Sequence, residues 1–283
     1  DKLDRRIRAR VGTRTRPGLG KPDQRRTAVN DRLRGFVTLT RMAEARPRVH
    51  REVVSFVRRS SRMNPSQQKA WREHADWVIR VPARDTDTSV APDAHLDVTD
   101  AFGREAPLVV EIGGGTGDVI SAVAAKHPDR NYLAFEVFEP AVASTLSKCA
   151  RAGVDNVRVV VANGVDAVAT LIGDRALTEL WTFFPDPWHK KRHHKRRLVS
   201  RPFADLVAAK LADDGVWRLA TDWEDYALAM REVLDEHPLL VNRHDGWAPR
   251  WEDRPQSRYE AKGIAAGRTI YDLCYGIREG GRR

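Results

Sequence analysis

Apolar and polar positions fall in alternating blocks along most of this chain. Near-continuous apolar runs at 108–113, 131–137, 157–163, 178–184 and 216–221 are separated by segments of helical period at 118–127, 140–152, 165–172, 199–211 and 224–237. Strands that are apolar on both sides bury both faces, and helices between them supply the crossovers, so this pattern predicts a parallel sheet covered on both faces. Two further strand candidates, 239–243 and 269–277, are joined by a long loop rich in Trp, Arg and Pro. They add a hairpin-like pair at the end of the sheet. The expected class is α/β: a doubly wound, mostly parallel seven-stranded sheet with helices on both faces and a C-terminal antiparallel strand. There are no internal repeats.

Upstream the pattern weakens. Residues 53–79 carry a helical period, with Asn64-Pro65-Ser66 reading as a turn before a helix over Gln67–Trp77. Residues 82–95 read as a polar loop. Residues 1–48 are rich in Arg, Gly and Pro with little apolar periodicity, so they predict a basic, mostly disordered arm ahead of one domain over 49–283. The charge supports that division. The net charge is +10, and residues 1–35 alone hold twelve Lys and Arg against four Asp and Glu, so the rest is nearly balanced. Such an arm either adds sequence-independent phosphate affinity or aids solubility.

No apolar run approaches the ~18 residues of a membrane span, and no secretory leader is visible. Cys149 and Cys274 form neither a C-x-x-C pair nor a zinc-ligand spacing, which points to core residues in a reducing cytoplasm and to no metal site.

Candidate chemistry gathers at the predicted strand ends. The first strand runs into Glu111-Ile112-Gly113-Gly114-Gly115-Thr116-Gly117 and then a helix. Glycines there, notably Gly113 and Gly115, permit a tight turn and close approach of a ligand to the backbone. The spacing is Gly-x-Gly-x-Gly rather than the dinucleotide Gly-x-Gly-x-x-Gly. Glu111 disfavours a pyrophosphate and suits a cationic ligand such as S-adenosylmethionine, with its sulfonium and ammonium groups. Glu136 ends the second strand, about twenty positions beyond the glycines, where a carboxylate accepts from ribose hydroxyls. Asn163 ends the third strand and either meets an adenine edge or caps the next helix. Asp222 ends the fifth, as a second rim carboxylate or a helix cap.

The fourth strand leads into Phe184-Pro185-Asp186-Pro187-Trp188, followed by His189 to Arg197 with six Lys/Arg and three His. Prolines on both sides of Asp186 fix two φ angles and remove two donors, which stiffens the loop around one carboxylate. A rigid carboxylate beside a dense cationic strip suits a polyanion whose reacting group must meet that carboxylate.

Together these segments, with Leu219-Ala220-Thr221-Asp222-Trp223 and Ser257-Arg258-Tyr259-Glu260, resemble the bacterial tRNA (guanine-N7-)-methyltransferase family over roughly residues 50–278. The resemblance implies a Rossmann-like domain that uses S-adenosylmethionine to methylate N7 of the variable-loop guanosine at position 46 of tRNA. It implies cofactor contacts at Glu111, Gly113, Gly115, Glu136, Asn163 and Asp186, and a catalytic role for Asp186. Substrate contacts are implied at Lys190, Asp222, Ser257, Arg258, Tyr259 and Glu260, and RNA contacts at Arg192, His193, His194, Lys195, Arg196 and Arg197. A cytoplasmic monomer or homodimer acting on tRNA, away from membranes and without metal, is the expected setting. Arg268 departs from the family pattern, which often has histidine there. A small-molecule methyltransferase would need neither the strip nor the arm, and an NAD-linked oxidoreductase would not place Glu111 at the glycine loop. A non-catalytic RNA-binding subunit would not need the glycine loop together with Asp186.

Overall fold

The structure is a computed structural model, and it describes residues 62–282. The basic arm expected over 1–48 lies outside the described residues. Eight strands form one sheet, ordered β1-β4-β3-β2-β5-β6-β8-β7. In chain order they are β1 (Val78–Ile79), β2 (Leu108–Ile112), β3 (Asn131–Glu136), β4 (Val157–Val161), β5 (Leu177–Phe183), β6 (Leu211–Thr221), β7 (Leu240–Asn242) and β8 (Tyr271–Ile277). β1 to β6 pair in parallel, and β8 runs antiparallel to both β6 and β7. The expected mostly parallel sheet is present, widened to eight strands by the two-residue edge strand β1.

β2 is wholly buried, as the central strand of a two-faced sheet must be. Its neighbours lie on opposite sides: the chain winds outward through β3 and β4, then returns across β2 to begin β5. That reversal makes the carboxyl ends of β2 and β5 a topological switch point, where the crossovers diverge and leave a crevice. Two buried apolar clusters sandwich the sheet, one containing Val110, Leu133 and Leu180, the other Val109, Tyr132 and Trp181. Adjacent residues of one strand thus serve opposite faces.

The helices are α1 (Pro65–Glu73), α2 (Val98–Phe102), α3 (Asp118–Lys126), α4 (Glu139–Ala152), α5 (Gly164–Leu171), α6 (Arg201–Lys210), α7 (Glu224–Asp235) and α8 (Arg258–Ala265). The turn expected at Asn64-Pro65-Ser66 is a helix start. Asn64 Oδ1 accepts from Gln67 N and the Gln67 side chain accepts from Asn64 N, both at 2.9 Å, with Pro65 in the first turn. The long loop expected between the last two strands contains α8. Its buried residues are Glu260 and Gly263, so no apolar stripe marked it in the sequence. Among the described residues, no helix is long and apolar enough to cross a membrane.

Candidate active site

The crevice holds a cavity of about 410 Å³ whose floor is the glycine loop. Gly113, Gly115 and Gly117 take φ of 71°, 57° and 75°, a region that costs little only for glycine. Gly114 is constrained differently, because a Cβ there would collide with the Glu111 carboxylate. Glu111 is 2% exposed, lines the cavity, and its Oε2 meets no hydrogen-bond partner. Burial, then the charges of Glu136 and Asp118, push its pKa up to about 8. A buried carboxyl that faces a cavity without a donor is a place for a cation.

Glu136 closes the next side. Its Oε2 accepts from Gly115 N at 3.0 Å, and its Oε1 accepts from Val137 N and Phe138 N at 2.7 and 2.9 Å. Three backbone donors orient this carboxylate and tie the end of β3 to the glycine loop. Asn163 caps α5 through Oδ1, which accepts from Val165 N at 3.0 Å. Its Nδ2 donor therefore carries any ligand contact. Asp118, at the start of α3, is pushed up by burial, but hydrogen bonds from Lys148 and Thr116 outweigh this and hold it below the carboxylate range.

Over the cavity stands the turn after β5. Phe184 and Trp188 bracket the Pro185-Asp186-Pro187 segment with φ of 52° and 47°. Positive φ at bulky residues is strained and persists where the surroundings over-determine it, as they often do at working sites. Phe184 N donates to Ala220 O at 2.7 Å, which anchors the turn to β6. Half-buried Asp186 lines the cavity with Pro185 and Phe184. The cationic strip then forms a 3₁₀ helix over Lys191–Arg196. Lys190, Lys191, Arg192 and Lys195 are exposed, while Arg196 lies over the Trp188 ring at 4.9 Å and His193 meets that ring edge-on. Partial burial, then Arg192, Arg196, Lys190 and Lys195, hold the His193 imidazolium below its usual range.

Another part of the wall is the first turn of α8. Ser257 Oγ accepts from Glu260 N at 3.1 Å, which starts the helix, and Arg258, Tyr259 and Lys262 face the cavity. Tyr259 is 47% exposed, and its ring reaches to 3.8 Å from where a Cβ on Gly115 would stand. At the end of β6, Asp222 receives Arg268 Nη2 at 2.7 Å, and a Cβ at Gly263 would come within 2.8 Å of the Asp222 side chain. Glycine in α8 therefore lets the helix rest directly on that carboxylate.

Comparison with known sequences decides the family. Residues 105–273 match a family described as putative methyltransferase. The tRNA (guanine-N(7)-)-methyltransferase of Cutibacterium acnes is 55% identical over 232 residues, covering 81% of this chain and 84% of that protein. That of Nocardioides sp. is 48% identical over 80% of this chain and 87% of its own length. That of Edwardsiella ictaluri is 41% identical, covering 81% and 93%. The chain belongs to the tRNA (guanine-N7-)-methyltransferase family.

In this methyltransferase the sequence-predicted residues do not share one environment. Glu111, Gly113, Gly115, Glu136, Asn163 and Asp186 line one cavity together with Ser257, Arg258 and Tyr259. Asp222 does not cap α7. Trp223 holds the cap position without a side-chain bond, and the Thr221 hydroxyl accepts from Trp223 N. Glu260 is turned away from the cavity and 1% exposed, bound by Arg250 and Arg254. Arg197 is likewise withdrawn from the strip: its Nε donates to Pro187 O at 3.0 Å, its Nη2 meets Asp225, and it stacks on Tyr226. Both act inside the fold, so direct substrate or RNA contact is not their geometry here. Sequence reasoning missed Gln67, Asp118 and Lys262 on the cavity wall. Gln67 also docks α1 on α4 by donating to Pro140 O at 2.8 Å. Its signal was the capping box, Asn-x-x-Gln, which was readable in the chain.

Proposed function

We propose that this protein transfers a methyl group from S-adenosylmethionine to N7 of the guanosine at position 46 of tRNA, forming 7-methylguanosine in the cytoplasm. One observation carries this reading: the unpartnered buried carboxylate of Glu111 opens into the same cavity that Asp186 lines, and the exposed cations of 190–195 begin just beyond Asp186. The orphaned oxygen fits the positive end of S-adenosylmethionine, and the cavity is of a size that holds a small ligand.

Bound S-adenosylmethionine supplies an electrophilic methyl group on a sulfonium sulfur. Glu111 holds the cationic end. Glu136 accepts from the ribose hydroxyls with the lone pairs its backbone donors leave, and Asn163 Nδ2 donates to adenine. Guanine N7 already carries an available lone pair, so no base is needed, and the rate depends on alignment and charge placement. Asp186 accepts from the donor edge of guanine and stabilises the positive charge that develops on the base. Lys190 reaches O6 or a phosphate, and Arg192 and Lys195 bind backbone phosphates. The base must leave its stack to enter the cavity. Tyr259 is the better stacking platform, since Trp188 is already engaged by Arg196 and His193.

Incubation with methyl-labelled S-adenosylmethionine and bulk tRNA, followed by nucleoside analysis and strand scission at 7-methylguanosine, tests the proposal. Label in 7-methylguanosine with scission at position 46 is expected. Label in another nucleoside would refute the N7 reading, and scission elsewhere would refute the position.

A further inference from the structure

Arg254 has no role in the chemistry above, yet its charged side chain is sealed inside the fold, 1% exposed. Its Nη1 donates to Asp272 Oδ1 at 2.6 Å and its Nη2 to Asp272 Oδ2 at 3.1 Å, a bidentate grip on β8. The same Nη2 reaches Glu260 Oε1 of α8 at 3.3 Å. The guanidinium also lies 5.1 Å from the Phe183 ring and 5.6 Å from the Phe184 ring, at the end of β5 where the Asp186 turn begins. Its Nε is buried without a hydrogen-bond partner.

These contacts close a loop. Phe184 N donates to Ala220 O, Ala220 is paired with Asp272, Asp272 holds Arg254, and Arg254 stacks back on Phe184 while gripping α8. The Asp186 turn and the α8 wall are distant in sequence, and this planar cation touches the elements that carry both. We infer that Arg254 is a positioning residue that sets the register of the α8 wall against the Asp186 turn, and so the alignment of the guanine with the methyl donor; the catalytic part of this inference rests on the methyl-transfer reading. Glu260 then works through Arg254 and Arg250, by holding α8 in place rather than by touching substrate.

The physical case rests on what other side chains would do. Lysine keeps the charge but presents a point donor in place of a flat fork, so it cannot grip Asp272 with two bonds, reach Glu260 and stack on two rings at once. Alignment errors of about an ångström lower rates by about 100-fold without removing binding energy. A positioning role therefore predicts a fall in kcat with little change in cofactor affinity.

The test compares the wild type with Arg254→Lys and with a neutral triple variant, Arg254→Met/Glu260→Gln/Asp272→Asn, which leaves no buried charge unpaired. Both are expected to unfold cooperatively, to bind S-adenosylmethionine within about twofold of wild type, and to lose at least about tenfold in kcat on tRNA. Amide hydrogen exchange is expected to accelerate in residues 257–266 while the amides of β2 and β5 stay protected. A folded Arg254→Lys or triple variant with wild-type kcat overturns the inference. So does a loss of cofactor affinity in parallel with kcat, or faster exchange spread evenly over the sheet. Exchange reads the coupling without tRNA, so failure of the methylation reading, seen as an inactive wild type, is told apart from failure of the Arg254 inference.

Discussion

If S-adenosylmethionine binds as proposed, with its cationic end at Glu111, its binding becomes a proton-linked event. The Glu111 pKa stands near 8 because burial, with Glu136 and Asp118 facing it, penalises the charged form. A cation at Oε2 needs the carboxylate, so the resident proton must leave when the cofactor binds. Each unit of pH below the pKa adds about 1.4 kcal/mol to that removal, which makes ~1.4 kcal/mol at pH 7 and ~2.7 kcal/mol at pH 6. Affinity for S-adenosylmethionine should rise about tenfold per pH unit up to pH 8 and level off above it. Calorimetry at pH 7 in two buffers of different ionisation enthalpy should report release of ~0.9 proton per site from this group. Glu111→Gln removes the titrating group, so the difference between the two proteins also cancels any titration of the ligand's own amino group. The sign for the unliganded protein is opposite. The folded chain binds more protons than the unfolded one between the ordinary value of 4.5 and about 8, so stability falls as pH rises through that window. Equal proton release in wild type and Glu111→Gln, or affinity flat from pH 6 to 8 in both, would show that Glu111 does not meet the cation.

Asp186→Asn keeps the size of the side chain but removes the charge that the proposed mechanism sets against the methylated base, so kcat on tRNA should fall about 100- to 1,000-fold with cofactor affinity nearly kept; near wild-type turnover would remove Asp186 from the chemistry. Replacing exposed Arg192 and Lys195 with Ala should lower the slope of log K for tRNA against log salt by ~1.5, as two lost phosphate contacts require, and an unchanged slope would take them off the RNA path. His237 is buried, with Nδ1 accepting from Leu239 N and Nε2 facing Asp205 at 3.0 Å, and burial first of all holds its pKa below the usual 6.5. Below pH 6.5 the unfolded chain takes up a proton that the folded chain refuses, so stability should drop as pH falls from 6.5 towards the folded pKa. Denaturant titration should show that drop flattened in His237→Gln.

How much of this was legible in the sequence follows from what each element buries. β2 to β5 and the helices between them match their expected spans closely because they bury apolar side chains, and apolar periodicity reports that burial directly; β6 begins at Leu211, five residues before its expected start, because its first half runs through exposed Asp213 and Asp214. β1 was invisible because two residues carry no period. Helix α8 was invisible for a different reason: the side it presents to the fold is the Glu260 carboxylate and the bare Cα of Gly263, neither of which a hydrophobic pattern can register. The site divides along the same line. Glu111, Glu136, Asn163 and Asp186 each follow or end a parallel strand, and the carboxyl ends of such strands share one rim, so sequence position alone brought them together. Arg197 could not be sorted from Arg196 that way. The 3₁₀ helix turns every three residues, which sends Arg196 over Trp188 at the surface and the next residue inward against Tyr226. The charge run looked uniform in one dimension, but it is two parts: an outer row that a polyanion can reach, and an inner arginine that holds the turn through Pro187 O. Arg254 repeats the division at the α8 wall, where Arg258 faces the cavity and Arg254 is sealed against Glu260 and Asp272. In both segments one arginine is bound inside the fold, Arg197 by Pro187 O and Asp225 and Arg254 by two carboxylates, while Arg192 and Arg258 nearby stay exposed.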